Sequence, residues 1–227
     1  MSDLVSAMIG VMGTLLVKGE VYKFLATVFG ESAEKVSETI ANEIRCFNMQ
    51  RTAETLLKIC ESFNQAGIEA QSVPLKNLIP LLEGISIEEN PTLQEWWANL
   101  LESAIAKGGI HPSYTSIMKD LDALDSRILD LMFLENKTLD QVKKHAKDGS
   151  LTALGKAIGV DRETLIERIQ VDENSIEVSI GNLVRLNLCT EKHFSIDGEL
   201  APHPALDNRI LLTSLGEAFI KEATRDP

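Results

Sequence analysis

The sequence predicts a mainly α-helical protein: a helical amino-terminal domain that contains a long amphipathic helix, followed by a smaller α+β module with a short β-hairpin. Aromatic residues make up only 5% of the 227-residue chain, and its 14 glycines and 7 prolines are few for a β-sandwich or barrel. Apolar residues recur at three- and four-residue steps in the first half of the chain, as in amphipathic helices. We expect an apolar helical segment over residues 1–30, a helical domain over 31–135 and the α+β module over 136–227.

The amino-terminal segment is apolar and is predicted to form a helix. Leu4 to Val17 contains no charged residue, and the apolar pattern continues to Phe29, before Gly30, a residue type that commonly ends helices. A membrane-spanning helix needs about 20 apolar residues, and Lys18 interrupts this stretch too early. We interpret the segment as a helix of the core or of an oligomer interface, with membrane insertion of residues 4–29 as the alternative.

The next helix is predicted to be long. Ser32 provides an N-cap, no glycine or proline follows until Gly67, and the interval fits one helix from Ala33 to Ala66. Its apolar stripe consists of Val36, Ile40, Ile44, Phe47, Leu56, Ile59, Cys60 and Phe63. Such a helix would measure about 50 Å. Part of it must therefore pack on another chain or on the amino-terminal helix, or the helix must bend near Asn48.

Four shorter helices are predicted in the rest of the helical domain. Pro74 takes the first position of one, and Asn90 caps the next, with Pro91 in its first turn. Gly108 ends that helix, and Asp122 caps the last of the four. The predicted helices run from Leu75 to Glu83, from Pro91 to Lys107, from His111-Pro112-Ser113 onwards, and from Ala123 to Leu134.

Two adjacent tryptophans lie in the second of these helices. Leu93, Trp97 and Leu100 share one face, which we expect to be buried against the long helix. Trp96 points about 100° away from that face, so the two indoles cannot share one pocket. Trp96 either covers a neighbouring helix or anchors a protein partner, and it is the first candidate residue for a partner surface.

The carboxy-terminal module is predicted from its capping residues and its two strands. Asp161 caps one helix, and Asn174 with Glu177 forms a capping box at the start of another. The expected elements are helices from Leu151 to Gly159, from Arg162 to Ile169 and from Asn174 to Asn187, strands over 188–190 and 209–213, and a closing helix from Ser214 to Ala223. This order of helices, hairpin and final helix is typical of a winged helix.

The charge of this winged-helix-like module indicates whether it contacts DNA or protein. Residues 151–227 contain 13 acidic and 8 basic residues, a net charge of −5, in a chain whose formal charge is −12. The helix that would enter a DNA groove begins near Asp172 and Glu173 and includes Glu177, which have the wrong sign for contact with phosphates. Arg185 in the same helix is the second candidate residue for a partner surface. We therefore expect protein contacts, with a DNA-binding transcriptional regulator as the alternative.

We predict no catalytic, cofactor-binding or metal-binding residue. The chain has no phosphate-binding glycine loop, no nucleophile elbow and no zinc-protease motif. Cys46, Cys60 and Cys189 are odd in number and far apart, which favours buried thiols of a reduced, intracellular protein. Cys189 with His193 and His203 has no usual metal-ligand spacing. We expect no enzyme activity, no cofactor and no small-molecule substrate.

Several short motifs resemble those of one bacterial protein family. They are Val73-Pro74-Leu75-Lys76, then Leu93-Gln94 with Trp97-Ala98 and Leu100-Leu101, then His111-Pro112-Ser113 and Leu124-Asp125, then Asn182-Leu183 with Arg185-Leu186, and finally Leu212-Thr213 with Gly216 and Phe219. In this order they resemble the abortive infection alpha family, also called DUF4393, over roughly residues 70–220. The resemblance implies a link to phage defence and transfers no catalytic residue. The chain departs from the family at Asn187, where glycine is common.

The residues and the resemblance together predict a non-enzymatic anti-phage defence protein that acts through protein contacts, either with another protein or with its own copies. A DNA-binding regulator and an effector that inserts conditionally into membranes stay open as alternatives. The acidic charge of the chain disfavours general nucleic-acid binding. We expect a cytoplasmic location, with attachment to the surface of the inner membrane if residues 4–29 contact lipid.

Overall fold

The computed structural model describes residues 19–30, 49–145, 159–192 and 209–225, which form nine helices and three strands. The helices are α1 (Gly19–Phe29), α2 (Met49–Ala66), α3 (Leu75–Ile87), α4 (Pro91–Lys107), α5 (Ser113–Asp120), α6 (Ala123–His145), α7 (Arg162–Ile169), α8 (Glu173–Arg185) and α9 (Ser214–Thr224). The strands are β1 (Val160–Asp161), β2 (Cys189–Lys192) and β3 (Arg209–Leu212). The predicted fold class, mainly α-helical with a short β-hairpin, is confirmed.

The chain folds as two units that divide between Asp120 and Leu121. The first unit contains α1 to α5 and the short carboxy-terminal stretch Glu222–Arg225, and the second extends from Leu121 to Lys221. We expected the division between residues 135 and 136, but α6 is continuous through that position. The structural division instead follows the break between α5 and α6.

The start of α6 has the cap expected from the sequence. Asp122 Oδ1 accepts hydrogen bonds from Leu124 N at 2.7 Å and from Asp125 N at 2.8 Å. The helix continues beyond Leu134, where the sequence predicted its end, to His145. The predicted helix over 151–159 lies outside the described residues except for Gly159.

The packing of α3 on α4 forms the centre of the first unit. Asn90 Oδ1 accepts from Thr92 N and Leu93 N, and Gly108 ends α4 with a left-handed φ of 75°, so the predicted bounds of α4 are confirmed. The face predicted from Leu93 and Trp97 is buried. Its main packing partner is α3, and not the long helix as expected.

Gly84 explains the close approach of α3 to α4. A Cβ atom at residue 84 would lie 2.6 Å from three atoms of the Trp97 indole, so only glycine fits there. The sequence predicted that α3 ends at Glu83, but the helix continues to Ile87 and contains Pro80. Pro74 is the N-cap residue of α3, with φ −55° and ψ 134°, and does not occupy its first turn.

Helices α1 and α2 pack through aromatic and aliphatic residues. The Phe24 and Phe63 rings meet edge to face, with centroids 5.9 Å apart, and Val28 is fully buried. Gly30 and Gly67 follow the two helices with left-handed φ angles of 64° and 65°, as predicted. Residues 4–18 and 33–48 of the predicted helices lie outside the described residues. Among the described helices, none has the length and apolar composition required to cross a membrane.

In the second unit, a three-stranded antiparallel sheet has the order β1-β3-β2. β2 and β3 pair from Cys189 with Leu212 to Lys192 with Arg209, which gives the predicted hairpin. The pairing of Val160 in β1 with Ile210 in β3 was not predicted. Cys189 lies in the core, and its Sγ is 3.6 Å from Met132 Sδ in α6.

The cap of α8 corrects one local prediction. Asp172, and not Asn174, is the N-cap: its Oδ1 accepts from Ser175 N at 3.0 Å and its Oδ2 accepts from Ser175 Oγ at 2.7 Å. The helix ends at Arg185, two residues before the predicted end. Asn187 has a left-handed φ of 58°, which explains why a glycine suits this position.

The start of α9 approaches the backbone between α8 and β2 very closely. Thr213 Oγ1 donates to Asn187 O at 2.6 Å and accepts from Gly216 N at 2.9 Å. A Cβ atom at Gly216 would lie 2.0 Å from the carbonyl oxygen of Leu188. Residue 216 must therefore be glycine, because the neighbouring atoms belong to the Leu188 backbone and cannot move aside as a side chain could.

We expect Gly216→Ala to destabilise the protein by about 2–4 kcal/mol, because the new methyl group overlaps the Leu188 carbonyl. Gly181→Ala is the matched control: Gly181 is also helical, and its added Cβ would meet no atom within 4 Å. This control should raise stability by about 0.5–1 kcal/mol through its better helix propensity. Urea unfolding of both variants measures the two effects, and equal stabilities would contradict the assigned close approach.

Candidate functional site

A cleft of about 460 Å³ opens in the first unit between the start of α3 and the segment that follows α4. Residues of two sequence motifs line it: Pro74 and Lys76 from one, His111 and Pro112 from the other. Its lining also includes Asn77, Tyr114, Lys107 and Glu222. We call it the His-Pro cleft.

The His111 side chain is held at the cleft by local contacts. Its Nδ1 lies 2.6 Å from Ser113 Oγ and accepts a hydrogen bond from Ser113 N at 3.3 Å. With Nδ1 as an acceptor, the proton of the neutral ring is on Nε2. The ring is exposed and lies 5.9 Å from the Tyr114 ring, centroid to centroid. His111 therefore offers an N–H donor at the opening.

Asn77 connects the two segments that line the cleft. Its Nδ2 donates to the carbonyl of Ile110 at 2.7 Å, and its side chain is buried. No hydrogen-bond donor among the described residues reaches Asn77 Oδ1. The Asn77 amide thus fixes the distance between α3 and the segment at Ile110. Its oxygen remains a buried acceptor without a donor from the described residues.

A charged cluster lies at the other side of the cleft. Glu222 accepts hydrogen bonds from Ser103 Oγ and from Lys107 Nζ. Partial burial acts to raise the pKa of Glu222, but the hydrogen bonds from Lys107 and Ser103 and the Lys107 charge outweigh it, so the pKa is lower than its ordinary value. Burial, and secondarily the charge of Glu222, raises the pKa of Tyr114. Glu222 is therefore an ionised, hydrogen-bonded anchor.

The chemistry of the cleft is suited to binding. Lys76 and His111 present hydrogen-bond donors at an exposed opening, and Pro74 and Pro112 supply rigid apolar surface. The Glu222 carboxylate already bonds to Ser103 and Lys107. Donors on a rigid rim favour a polar or acidic group of a partner.

A larger groove, of about 720 Å³, runs between α2 and α4 in the same unit. Its charged groups are largely engaged: Glu102 bonds to Arg225 and to Ser62 Oγ, and Arg51 donates to the carbonyl of Glu88. These contacts join α2 and α4 to neighbouring segments. Pairing within the chain thus accounts for most charged groups of this groove. It does not account for the exposed donors of the His-Pro cleft.

A family model described as abortive infection alpha matches residues 48–223, well over half of the chain. The chain belongs to the abortive infection alpha family. The resemblance expected from the sequence is thereby confirmed, and the matched range includes both motif segments of the His-Pro cleft. No curated protein and no solved structure matches the chain.

Arg185, one of the two predicted partner residues, takes part in a hydrogen-bonded series within the second unit. Its Nη2 donates to Asn182 Oδ1 at 2.8 Å, and Asn182 Nδ2 donates to Asp125 Oδ2 at 2.7 Å. Asp125 is only 2% exposed, and its burial raises the pKa of its carboxyl group. These three residues of the family motifs therefore join α6 to α8. The Arg185 side chain itself is exposed.

Trp96, the other predicted partner residue, is not on a surface. Its side chain is 3% exposed, close to the 2% of Trp97. The alternative in which Trp96 covers a neighbouring helix agrees with this burial, and an anchor for a partner does not. Both indoles are buried.

Several residues of the cleft were not predicted from the sequence. Asn77 and Tyr114 directly follow motif residues, so their positions carried a local signal. Glu222 carried none, because it is more than one hundred residues away along the chain. Within the described ranges, no group of His, Cys, Asp and Glu residues is arranged to hold a metal ion. His193, His203 and Cys46 lie outside those ranges.

We expect Glu222→Gln to lower stability by about 1 kcal/mol at neutral pH, because Ser103 and Lys107 lose a charged acceptor. A carboxyl group whose pKa is lowered by folding stabilises the protein above its ordinary pKa of 4.5, and this contribution disappears as the pH falls through the folded pKa. The difference between wild type and variant should therefore shrink under acidic conditions.

Urea unfolding at several pH values measures this difference. Glu217→Gln is the control, since Glu217 forms a half-exposed pair with Lys221 four residues away and should contribute little. A difference for Glu222→Gln that stays constant down to the acid limit would show that the carboxylate charge is not involved.

Proposed function

We propose that this member of the abortive infection alpha family is a cytoplasmic anti-phage defence protein that acts by binding another protein and not by catalysis. Family membership over residues 48–223 supports the role in defence. The His-Pro cleft supports binding, because its exposed groups are donors on a rigid rim. It is the proposed site of contact.

The proposal depends on one observation: some residues of the family motifs have packing roles, whereas others are exposed at the cleft. Trp97 packs on Gly84, Asn182 bridges Arg185 and Asp125, and Gly216 contacts the Leu188 backbone. These roles are structural and explain the motifs that contain them. Lys76, His111 and Pro112 are motif residues as well, but they are exposed and line an opening. Packing alone does not explain them.

The chemistry of the rim indicates the kind of surface that fits it. Lys76 and His111 offer N–H donors in a chain whose formal charge is −12. A positive rim on an acidic protein favours a local acidic or carbonyl-rich segment of the partner over a basic one. Pro74 and Pro112 are already rigid and lose little conformational entropy on binding.

We expect Lys76→Glu to reduce protection against phage by about 10-fold or more, because it reverses the charge of the rim. Lys119→Glu makes the same change at another exposed position of the first unit, on α5 and outside the cleft, and should retain protection. Plaque counts on strains that express each variant measure the effect, and melting curves of the purified proteins check that both remain folded.

Two results would contradict the proposal in different ways. Wild-type protein that protects against no phage of a broad panel contradicts the role in defence. Protection by Lys76→Glu equal to that by wild type and by Lys119→Glu contradicts the role of the cleft.

The element order of the second unit and the sheet order β1-β3-β2 support a winged helix, and its charges support a use other than DNA binding. Arg162 bonds to Glu177 of α8 and to Glu191 of β2. This pairing neutralises a cation beside the helix that would enter a DNA groove. The helix also starts with Asp172 and Glu173, which would face phosphates.

We therefore expect no mobility shift of duplex DNA with the full chain at low salt. Titration of the protein into labelled duplexes of mixed sequence, at a series of salt concentrations, measures this. A shift that weakens steeply as salt increases would show phosphate contacts and would restore the DNA-binding alternative.

A further inference from the structure

The outward face of α8 carries apolar side chains without an explanation in the fold of the second unit. Val178 is 67% exposed and Val184 is 39% exposed, although both are aliphatic. Ile176 and Leu183 on the opposite side of α8 are buried, and so is Ile180, which lies between them and Val184 around the helix. The helix thus has one apolar face in the core and apolar residues on a second, exposed face.

Gly181 lies at the centre of this exposed face. Helix geometry of about 100° per residue places Val178 and Val184 about 60° to either side of Gly181 and one turn away in opposite directions. Glu177 and Arg185 flank the same position at about 40°. A Cβ atom at Gly181 would meet nothing within 4 Å, so another backbone can approach closely there.

We propose that this face docks on the same face of a second copy of the chain, with the two α8 helices antiparallel and a two-fold axis between their Gly181 residues. A two-fold axis pairs residues that lie at equal distances on either side of it. Val178 then meets Val184 of the second copy, and Glu177 meets Arg185 of the second copy. Each contact occurs twice.

Charge and hydrophobic complementarity identify a second copy as the occupant. The residues three positions before and three positions after Gly181 are both valines. The residues four positions before and after it carry opposite charges. A parallel arrangement would instead place Glu177 beside Glu177 and Arg185 beside Arg185, which repel. The face is therefore complementary to itself only in the antiparallel orientation.

The existing contacts of the two charged residues are compatible with this pairing. Glu177 bonds to Arg162, and its side chain is 43% exposed. Arg185 donates to Asn182 while its side chain is exposed. Neither residue needs to leave its partner within the chain, because a carboxylate and a guanidinium each form several hydrogen bonds.

The size of the face determines the strength of the association. Stable protein interfaces bury about 1,200–2,000 Å², more than the crossing of two short helices supplies. We therefore infer a weak, concentration-dependent dimer. The inference rests on the proposed function only in that it names a second copy as one of the protein contacts; the His-Pro cleft is not part of this face.

Sedimentation velocity of the full chain from about 1 µM to about 1 mM tests the dimer directly. The sedimentation coefficient of the wild type should rise with concentration, and Val178→Asp should raise the dissociation constant by about 10-fold or more. Ile68→Asp is the matched control, since Ile68 is 47% exposed in the first unit and lies outside the face. It should dimerise like the wild type.

A charge swap tests the register. Glu177→Arg and Arg185→Glu should each weaken the dimer, and the double variant should restore it, because the opposite charges then face each other again. Melting curves check that each variant is folded. A wild type that is monomeric at all concentrations, a dimer unaffected by Val178→Asp, or a double variant as weak as the single ones would overturn the proposal.

Plaque assays on the same variants separate this inference from the proposed function. A monomeric Val178→Asp protein that still protects against phage supports the dimer face and leaves the role of the cleft unchanged. A Lys76→Glu protein that dimerises but does not protect supports the cleft and leaves the dimer unchanged. The two proposals can therefore fail independently.

Discussion

The contact between the Trp97 indole and the backbone of Gly84 is the constraint on which the first unit depends. Any side chain at residue 84 would overlap the indole, so α3 and α4 are held at the distance that glycine allows. The His-Pro cleft is formed by the start of α3 and by the segment after α4. The crossing of these helices, together with the hydrogen bond from Asn77 to the carbonyl of Ile110, thus sets the width of the cleft.

Much of the fold could be predicted because the relevant signals are local. Asn90 and Asp122 each bond to backbone groups two or three residues ahead, so their capping roles are visible in a short stretch of sequence. The same logic fails where two capping residues compete. Asp172 and Asn174 are both suitable N-caps, and only the folded chain determines that α8 starts after Asp172.

The candidate site could be predicted only in part, for a physical reason. The motifs around Lys76 and His111 were identified in the sequence, but their meeting in one cleft depends on tertiary packing. Glu222 reaches the cleft from the end of the chain, which no local pattern indicates. For Trp96 the sequence left two alternatives, cover of a neighbouring helix or an anchor for a partner, because helix periodicity shows only that it lies off the main face. Its burial agrees with the first alternative.

The buried thiol of Cys189 has a consequence for how motion in the second unit can be observed. Burial, with a further contribution from Asp125, raises the pKa of Cys189 to about 12. At neutral pH the thiol is therefore almost entirely protonated, whereas the thiolate is the form that reacts with alkylating reagents. Modification must wait until β2 separates from α6 and admits the reagent. The rate of alkylation at this residue therefore measures how often the second unit unfolds locally, and the measurement requires no introduced label.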